Sequence, residues 1–251
     1  SFLMSTTSLF ERLTILRLPA FRAGLEEQLR NPQYAGLSFE DRLSILLDLE
    51  ITRRRNNTLQ RRIKIAHFPF SVSLEDIDFS ASRGLDRRFF LELAQCDWIS
   101  NHLNLFILGP TGVGKSFISA AMGFSACCLE FSVRYFRTAR LLTALAEGRS
   151  DPQQTLVSDL ARTDLLILDD WLRDPPSLDQ AKDLLEILDD RFGHSSTLVV
   201  SQLPVPDWYP SFPNPTVADA ILDRLVHNAH RLNLEGESQR KLRSPLRMSS
   251  T

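Results

Sequence analysis

Residues 109–116 read Gly-Pro-Thr-Gly-Val-Gly-Lys-Ser, and this octet limits the fold more than any other stretch of the chain. Gly109, Gly112 and Gly114 let the backbone bend tightly enough for successive N–H groups to face one oxyanion. Lys115 then reaches the β- and γ-phosphates of a nucleotide, and Ser116 offers its hydroxyl to Mg²⁺. A helix beginning here adds the partial positive charge of its N-terminus. Such a loop needs a strand before it and a helix after it, and the flanks predict both. Asn104-Leu105-Phe106-Ile107-Leu108 is a short apolar run, and residues 117–130 are Ala-rich with helical patterning. Pro110, Thr111, Val113 and Phe117 complete the segment expected to wrap the phosphates.

A phosphate loop requires a second, acidic element. Leu165-Leu166-Ile167-Leu168 followed by Asp169-Asp170 supplies it: four apolar residues of a buried strand, then two carboxylates at its C-terminal edge, where open α/β sheets bind their ligands. Asp169 is expected to hold Mg²⁺ through its water shell, and Asp170 to orient or deprotonate the attacking water. Another apolar run, Thr197-Leu198-Val199-Val200, ends in Ser201-Gln202. A polar group there either senses the γ-phosphate or simply terminates a strand. Arg224 lies in the helical stretch Ala218-Asp219-Ala220-Ile221-Leu222-Asp223-Arg224-Leu225. It reads equally as half of an exposed ion pair or as an arginine finger offered to a neighbouring subunit.

Around these motifs, strand candidates at 105–108, 133–136, 165–168, 197–200 and 230–234 alternate with helix candidates at 116–130, 138–147 and 177–192. Thr138 and Ser177 are expected N-caps. Repeated strand–helix–strand order predicts an α/β fold with a central parallel sheet covered on both faces. The stretch 203–215 holds five prolines and reads as a loop or short-turn insertion. Asp78-Phe79 and a helix over 85–93 are candidate flanks for adenine, with apolar core as the default. Residues 1–66 form a small all-α N-terminal domain, residues 67–240 the ATPase domain, and 241–251 a disordered tail. Within the first domain Pro19 breaks the opening helix, and Ser38 with Asp41 opens a later one as an imperfect capping box. Ser1-Phe2-Leu3 before Met4 reads as a tag remnant.

Formal net charge is only −2, so any affinity for nucleic acid must be local. Arg53, Arg54, Arg55, Arg61, Arg62 and Lys64 form that local cluster, with no acid between residues 51 and 64. Arg54 and Arg61, like Arg55 and Arg62, are seven apart and share a helix face. The cluster is the candidate contact for double-stranded DNA; a solvated basic helix end is its plain alternative. Three cysteines, two of them adjacent, make neither a disulfide framework nor a zinc quartet and favour a reducing cytoplasm. No apolar run reaches the ~20 residues that cross a bilayer, and the five histidines lack metal-ligand spacing.

Taken together, the phosphate loop, Leu-Leu-Ile-Leu-Asp-Asp, Ser201-Gln202-Leu203-Pro204 and Asp223-Arg224-Leu225-Val226-His227-Asn228 resemble the IstB-type transposition helper ATPases. These are AAA+ proteins close to the DnaC-type helicase loaders, and the likeness covers nearly the whole chain. It implies an AAA+ P-loop core, with too little chain after Leu234 expected to build the complete C-terminal helical lid of many AAA+ modules. It further implies a bacterial cytoplasmic protein that uses ATP and Mg²⁺, forms a homo-oligomeric ring or spiral on target DNA, and delivers that DNA to the transposase of the same element. Under the resemblance Arg224 becomes the finger, and Ser201 or Gln202 the sensor. The chain departs from the family pattern at Asp170, one methylene shorter than the usual Glu, and at Trp171-Leu172-Arg173. A helicase loader and a non-hydrolysing nucleotide-dependent scaffold are the rival readings.

Overall fold

The leucine stripes near the N-terminus become helices. In the computed structural model, which describes residues 2–80, 84–148, 150 and 155–236, the chain divides into two units, one through Arg61 and one from Arg62 onward. The first unit is helical: α1 (Phe2–Ile15), α2 (Pro19–Arg30) and most of α3 (Phe39–Ala66). Pro19 takes the first turn of α2, where its missing N–H costs nothing. Leu18 cannot cap that helix, and Glu50 of α3 does so from across the fold. Its Oε2 accepts the backbone N–H groups of Ala20 at 3.0 Å and Phe21 at 3.2 Å. At the start of α3, Ser38 Oγ accepts the Asp41 N–H at 3.1 Å and donates to the Asp41 carboxylate at 2.8 Å. The boundary between the units falls inside α3, which carries the whole basic cluster.

The second unit opens with α4 (Arg87–Ala94) and the single turn α5 (Asp97–Ser100), then alternates strands and helices. In chain order these are β1 (Asn104–Leu108), α6 (Lys115–Cys128), β2 (Val133–Arg137), α7 (Thr138–Gly148), α8 (Thr155–Ala161), β3 (Leu165–Asp169), α9 (Leu178–Arg191) and β4 (Ser196–Ser201). The short α10 (Trp208–Ser211), α11 (Pro215–Val226) and β5 (Ala229–Asn233) complete it. The five strands are all parallel, in the order β2-β3-β4-β1-β5. β1, β3 and β4 are buried along their whole length, which is why each reads in sequence as an unbroken apolar run rather than an alternation.

Strand order positions the site. β4 lies between β1 and β3, so Ser201-Gln202 falls between the phosphate loop and the two acids, all at one edge of the sheet. Ser177 caps α9 with Gln180 in a reciprocal capping box. Thr138, expected to cap α7, instead begins that helix and donates its hydroxyl to the Asp169 carbonyl at 2.8 Å. That bond ties the end of β2 to the end of β3. The proline-rich stretch is anchored by Trp208, which is fully buried. Its ring packs edge-on against Phe106, with centroids 4.8 Å apart, and against Trp171 at 5.9 Å, and its indole N–H donates to the Leu203 carbonyl. Each such aromatic pair is worth about 0.5–1.5 kcal/mol beyond its buried area.

Candidate nucleotide-binding site

The phosphate loop starts where no side chain fits. Gly109 has φ +155°, and a Cβ there would lie 2.5 Å from the Leu234 carbonyl oxygen. Leu234 is held in place because its N–H donates to Leu108 O at 2.7 Å. At the other end Gly114, with φ +93°, caps α6 so that Lys115 and Ser116 open the helix. Lys115 Nζ donates to the Pro110 carbonyl at 2.8 Å, and the Thr111 hydroxyl donates to Gln202 Oε1 at 2.7 Å. The loop, Asp169, Asp170 and Gln202 line one cleft of about 580 Å³. At its wall Phe70 stacks on Phe117, with centroids 5.7 Å apart and 25° between the rings. Asp78 also faces this cleft, whereas Phe79 packs on Phe90 away from it.

Asp169 is buried. Its Oδ1 accepts the Asp170 N–H at 2.7 Å, and its Oδ2 accepts the Tyr135 hydroxyl. Burial first, and then the Asp169 charge, push the Tyr135 phenol up, so it stays a donor. Ser116 lines the same cleft. Ser116 and Asp169 thus bring hard oxygen donors to one corner, a set that suits Mg²⁺. Asp170 is different. It sits at φ +52° and remains 39% exposed, 3.9 Å from Arg137 Nε and 3.8 Å from Arg173 Nη1. Ser201 does not reach the cleft. Its buried hydroxyl donates to Trp171 O at 2.9 Å and accepts the Leu203 N–H at 3.1 Å, so Gln202 is the polar group that faces the nucleotide space. Tyr135, Arg137 and Phe70 were not singled out from the sequence, since only the pairing of β2 with β3 brings the first two beside the acids.

Arg224 is elsewhere. Its backbone carbonyl accepts from Asn104 Nδ2 at 3.3 Å, at the N-terminal end of β1, while the phosphate loop follows the C-terminal end of that strand. Five residues of strand, about 13 Å from first to last, therefore lie between the two sites. The guanidinium shares a small hollow with His102, Thr197 and Asn228.

On α3 the basic cluster splits in two. Arg53 Nη2 meets Glu50 Oε1 at 2.6 Å and Arg54 Nε meets the same oxygen at 3.2 Å, while Arg54 Nη2 donates to Arg17 O at 3.4 Å. The hydrogen bond from Arg53, above all, holds the buried Glu50 carboxyl down at about 2. These two arginines brace the helices. Among the described residues no ion pair engages Arg55, Arg61, Arg62 or Lys64; Arg55, Arg61 and Lys64 are exposed and Arg62 is half-buried.

The family described as IstB-like ATP binding protein matches residues 11–246. An insertion sequence ATP-binding protein of Sinorhizobium fredii is 44% identical over 232 residues, 92% of this chain and 95% of that protein. The ATP-binding protein of insertion sequence IS1162 from Pseudomonas fluorescens is 43% identical over 204 residues, 80% of this chain and 88% of that one. The solved structure of DnaI superposes with a TM-score of 0.56 at 19% identity, over 70% of this chain and 93% of its own, a likeness of fold. No helix among the described residues is long and apolar enough to cross a membrane.

Proposed function

The chain belongs to the IstB-like ATP-binding protein family and has an AAA+ P-loop fold, and from that membership we propose that it is a DNA-stimulated ATPase that assembles on duplex DNA and delivers it to the transposase of the same element. Lys115 leaves the Pro110 carbonyl for the β- and γ-phosphates, and the N–H groups from Gly112 to Ser116 surround them. Mg²⁺ would be held by Ser116 and, through water, by Asp169, and would neutralise charge on the β- and γ-phosphates. Asp170 takes the water proton once it is drawn away from Arg137 and Arg173. Gln202, whose Oε1 accepts from Thr111, donates through Nε2 to the γ-phosphate, and Phe70 offers a ring face to the base.

The observation that carries the oligomeric part is the separation of Arg224 from the cleft. An arginine at the opposite edge of the sheet cannot serve its own site, and it suits the cleft of a second copy. Fingers of this kind are worth roughly 10³–10⁵ in rate. DNA contact falls to Arg55, Arg61, Arg62 and Lys64. Four neutralised phosphates correspond to a log–log salt slope of about −3.6. The test is ATP turnover by the purified chain against duplex DNA at several salt concentrations, with electron microscopy of the same mixtures. Stimulated turnover with a steep salt dependence and ordered assemblies supports the reading. Turnover indifferent to DNA, from dispersed monomers, refutes it. A helicase-loader role has the DnaI likeness behind it, but that concerns fold alone, whereas the 44% identical relative is named for an insertion sequence.

A further inference from the structure

Away from the cleft, the ends of α9 and α11 build a cluster around one guanidinium. Arg224 Nε donates to Asp189 Oδ1 at 2.7 Å and Nη1 to Asp223 Oδ2 at 2.8 Å, while Cζ lies 5.4 Å from the centroid of the Phe192 ring. Asp223 is itself held, its Oδ1 lying 2.8 Å from His227 Nε2 one helical turn further on. Among the described residues Nη2 makes no hydrogen bond. The guanidinium is therefore gripped at Nε and at Nη1 and backed by a ring, with Nη2 left over. Asp223 and Arg224 are sequence neighbours, so their pair fixes little by itself. Asp189 comes from a different helix and defines where the side chain points.

Resting on the reading of Arg224 as a finger, we propose that Asp189 is its positioning residue, presetting the guanidinium so that Nη2 meets the triphosphate of a second copy. A long side chain ordered only at the moment of contact loses its rotamer freedom then; one ordered beforehand does not. An exposed pair contributes little to folding, so the work of Asp189 should surface in turnover rather than in stability. Asp189 itself touches neither nucleotide nor phosphate.

The experiment compares Asp189→Ala, Asp189→Asn, Arg224→Ala and the double variant Asp189→Ala/Arg224→Ala in the full chain. ATP turnover is measured with and without duplex DNA, and affinity for a fluorescent ATP analogue is measured at dilutions that disfavour assembly. Asp189→Ala should lower kcat about ten- to a hundredfold, as misplacement of a reacting group does, with analogue affinity unchanged. Asp189→Asn, whose amide oxygen still accepts from Nε, should recover most of the loss. Adding Asp189→Ala to Arg224→Ala should change nothing further, the mark of two residues acting as one. Unchanged or raised turnover in Asp189→Ala beside an inactive Arg224→Ala overturns the positioning role and leaves the finger standing. Full turnover in Arg224→Ala overturns the finger itself. A loss that Asp189→Asn fails to rescue, with weakened analogue binding, makes Asp189 structural and also overturns the proposal.

Discussion

At the scale of single residues, the two carboxylates after β3 are neighbours in sequence and opposites in environment. Asp169 is buried under a tyrosine hydroxyl, whereas Asp170 stands half in solvent between two arginines. Tyr135→Phe removes one donor without changing shape. Partners behind a direct metal ligand are worth roughly 10- to 100-fold in metal affinity, and Tyr135 stands one layer further out, behind a carboxylate that would reach Mg²⁺ through water. The Mg²⁺ concentration that half-saturates turnover should therefore rise in this variant by less than about tenfold; an unchanged Mg²⁺ titration would mean Tyr135 only packs. Glu50 provides the pH dependence. Its folded pKa is depressed to about 2, so its contribution is fully present above the ordinary carboxylate range. That contribution is lost as pH falls from about 4.5 towards 2. Circular dichroism should find the parent losing helical stability across that window, with a shallower loss in Glu50→Gln from a lower starting point.

The residue scale is also where sequence reading had least to work with. Glycines of the phosphate loop, Lys115 and the Asp169-Asp170 pair are legible because their spacing is local. What surrounds them is not. Glu50 precedes Arg53 and Arg54 by three and four positions, and it lies just outside the acid-free stretch that made the cluster read as wholly basic. Only the fold shows that the same carboxylate also caps α2, thirty residues earlier in the chain. Ser201 and Gln202 are adjacent and polar, and only the end of β4, which buries Ser201 as its last residue and leaves Gln202 beyond it, separates a buried hydroxyl from an amide in the cleft.

At the scale of elements, β1, β3 and β4 are legible because a parallel strand covered on both faces must be apolar throughout, whereas the edge strands β2 and β5 carry Arg134, Arg137, His230 and Arg231 among their apolar residues. The single-turn α5 and the seven-residue α8 are too short to display a period. Helix α9 combines legibility with function, since its Ser177–Gln180 capping box starts a helix whose last turn carries Asp189. Ser177→Ala should cost about 1 kcal/mol, a fall of roughly 2–4 °C in melting temperature for a domain of this size. Differential scanning calorimetry reads it. ATP turnover below the transition should stay within about twofold of the parent, because the cap loses its bond 12 positions before Asp189 and fraying concentrates in the first turn. A collapse of turnover with so small a thermal shift would mean that α9 is positioned from its start rather than by its packing on the core.

At the scale of the whole molecule, a parallel sheet sorts chemistry to its two edges. Strand C-termini gather the phosphate loop, the acids and Gln202, while the N-terminal edge receives Arg224 through the bonds of Asn104 to the end of α11. Head-to-tail contact between copies is the arrangement that joins one edge to the other, and such a contact generates rings or open spirals rather than two-fold dimers. Complementation tests this without any structure of the assembly. Lys115→Ala subunits retain a finger and lack a working loop; Arg224→Ala subunits retain the loop and lack the finger. Each preparation alone should be nearly inactive. Mixed in equal amounts, an intact loop should meet an intact finger at about a quarter of random head-to-tail contacts. Turnover should therefore recover towards a quarter of the parent rate, and recovery should be lost on dilution below the assembly concentration. If the mixture stays as inactive as its components while both variants still assemble, Arg224 does not act across subunits, and the two edges of the sheet serve separate purposes.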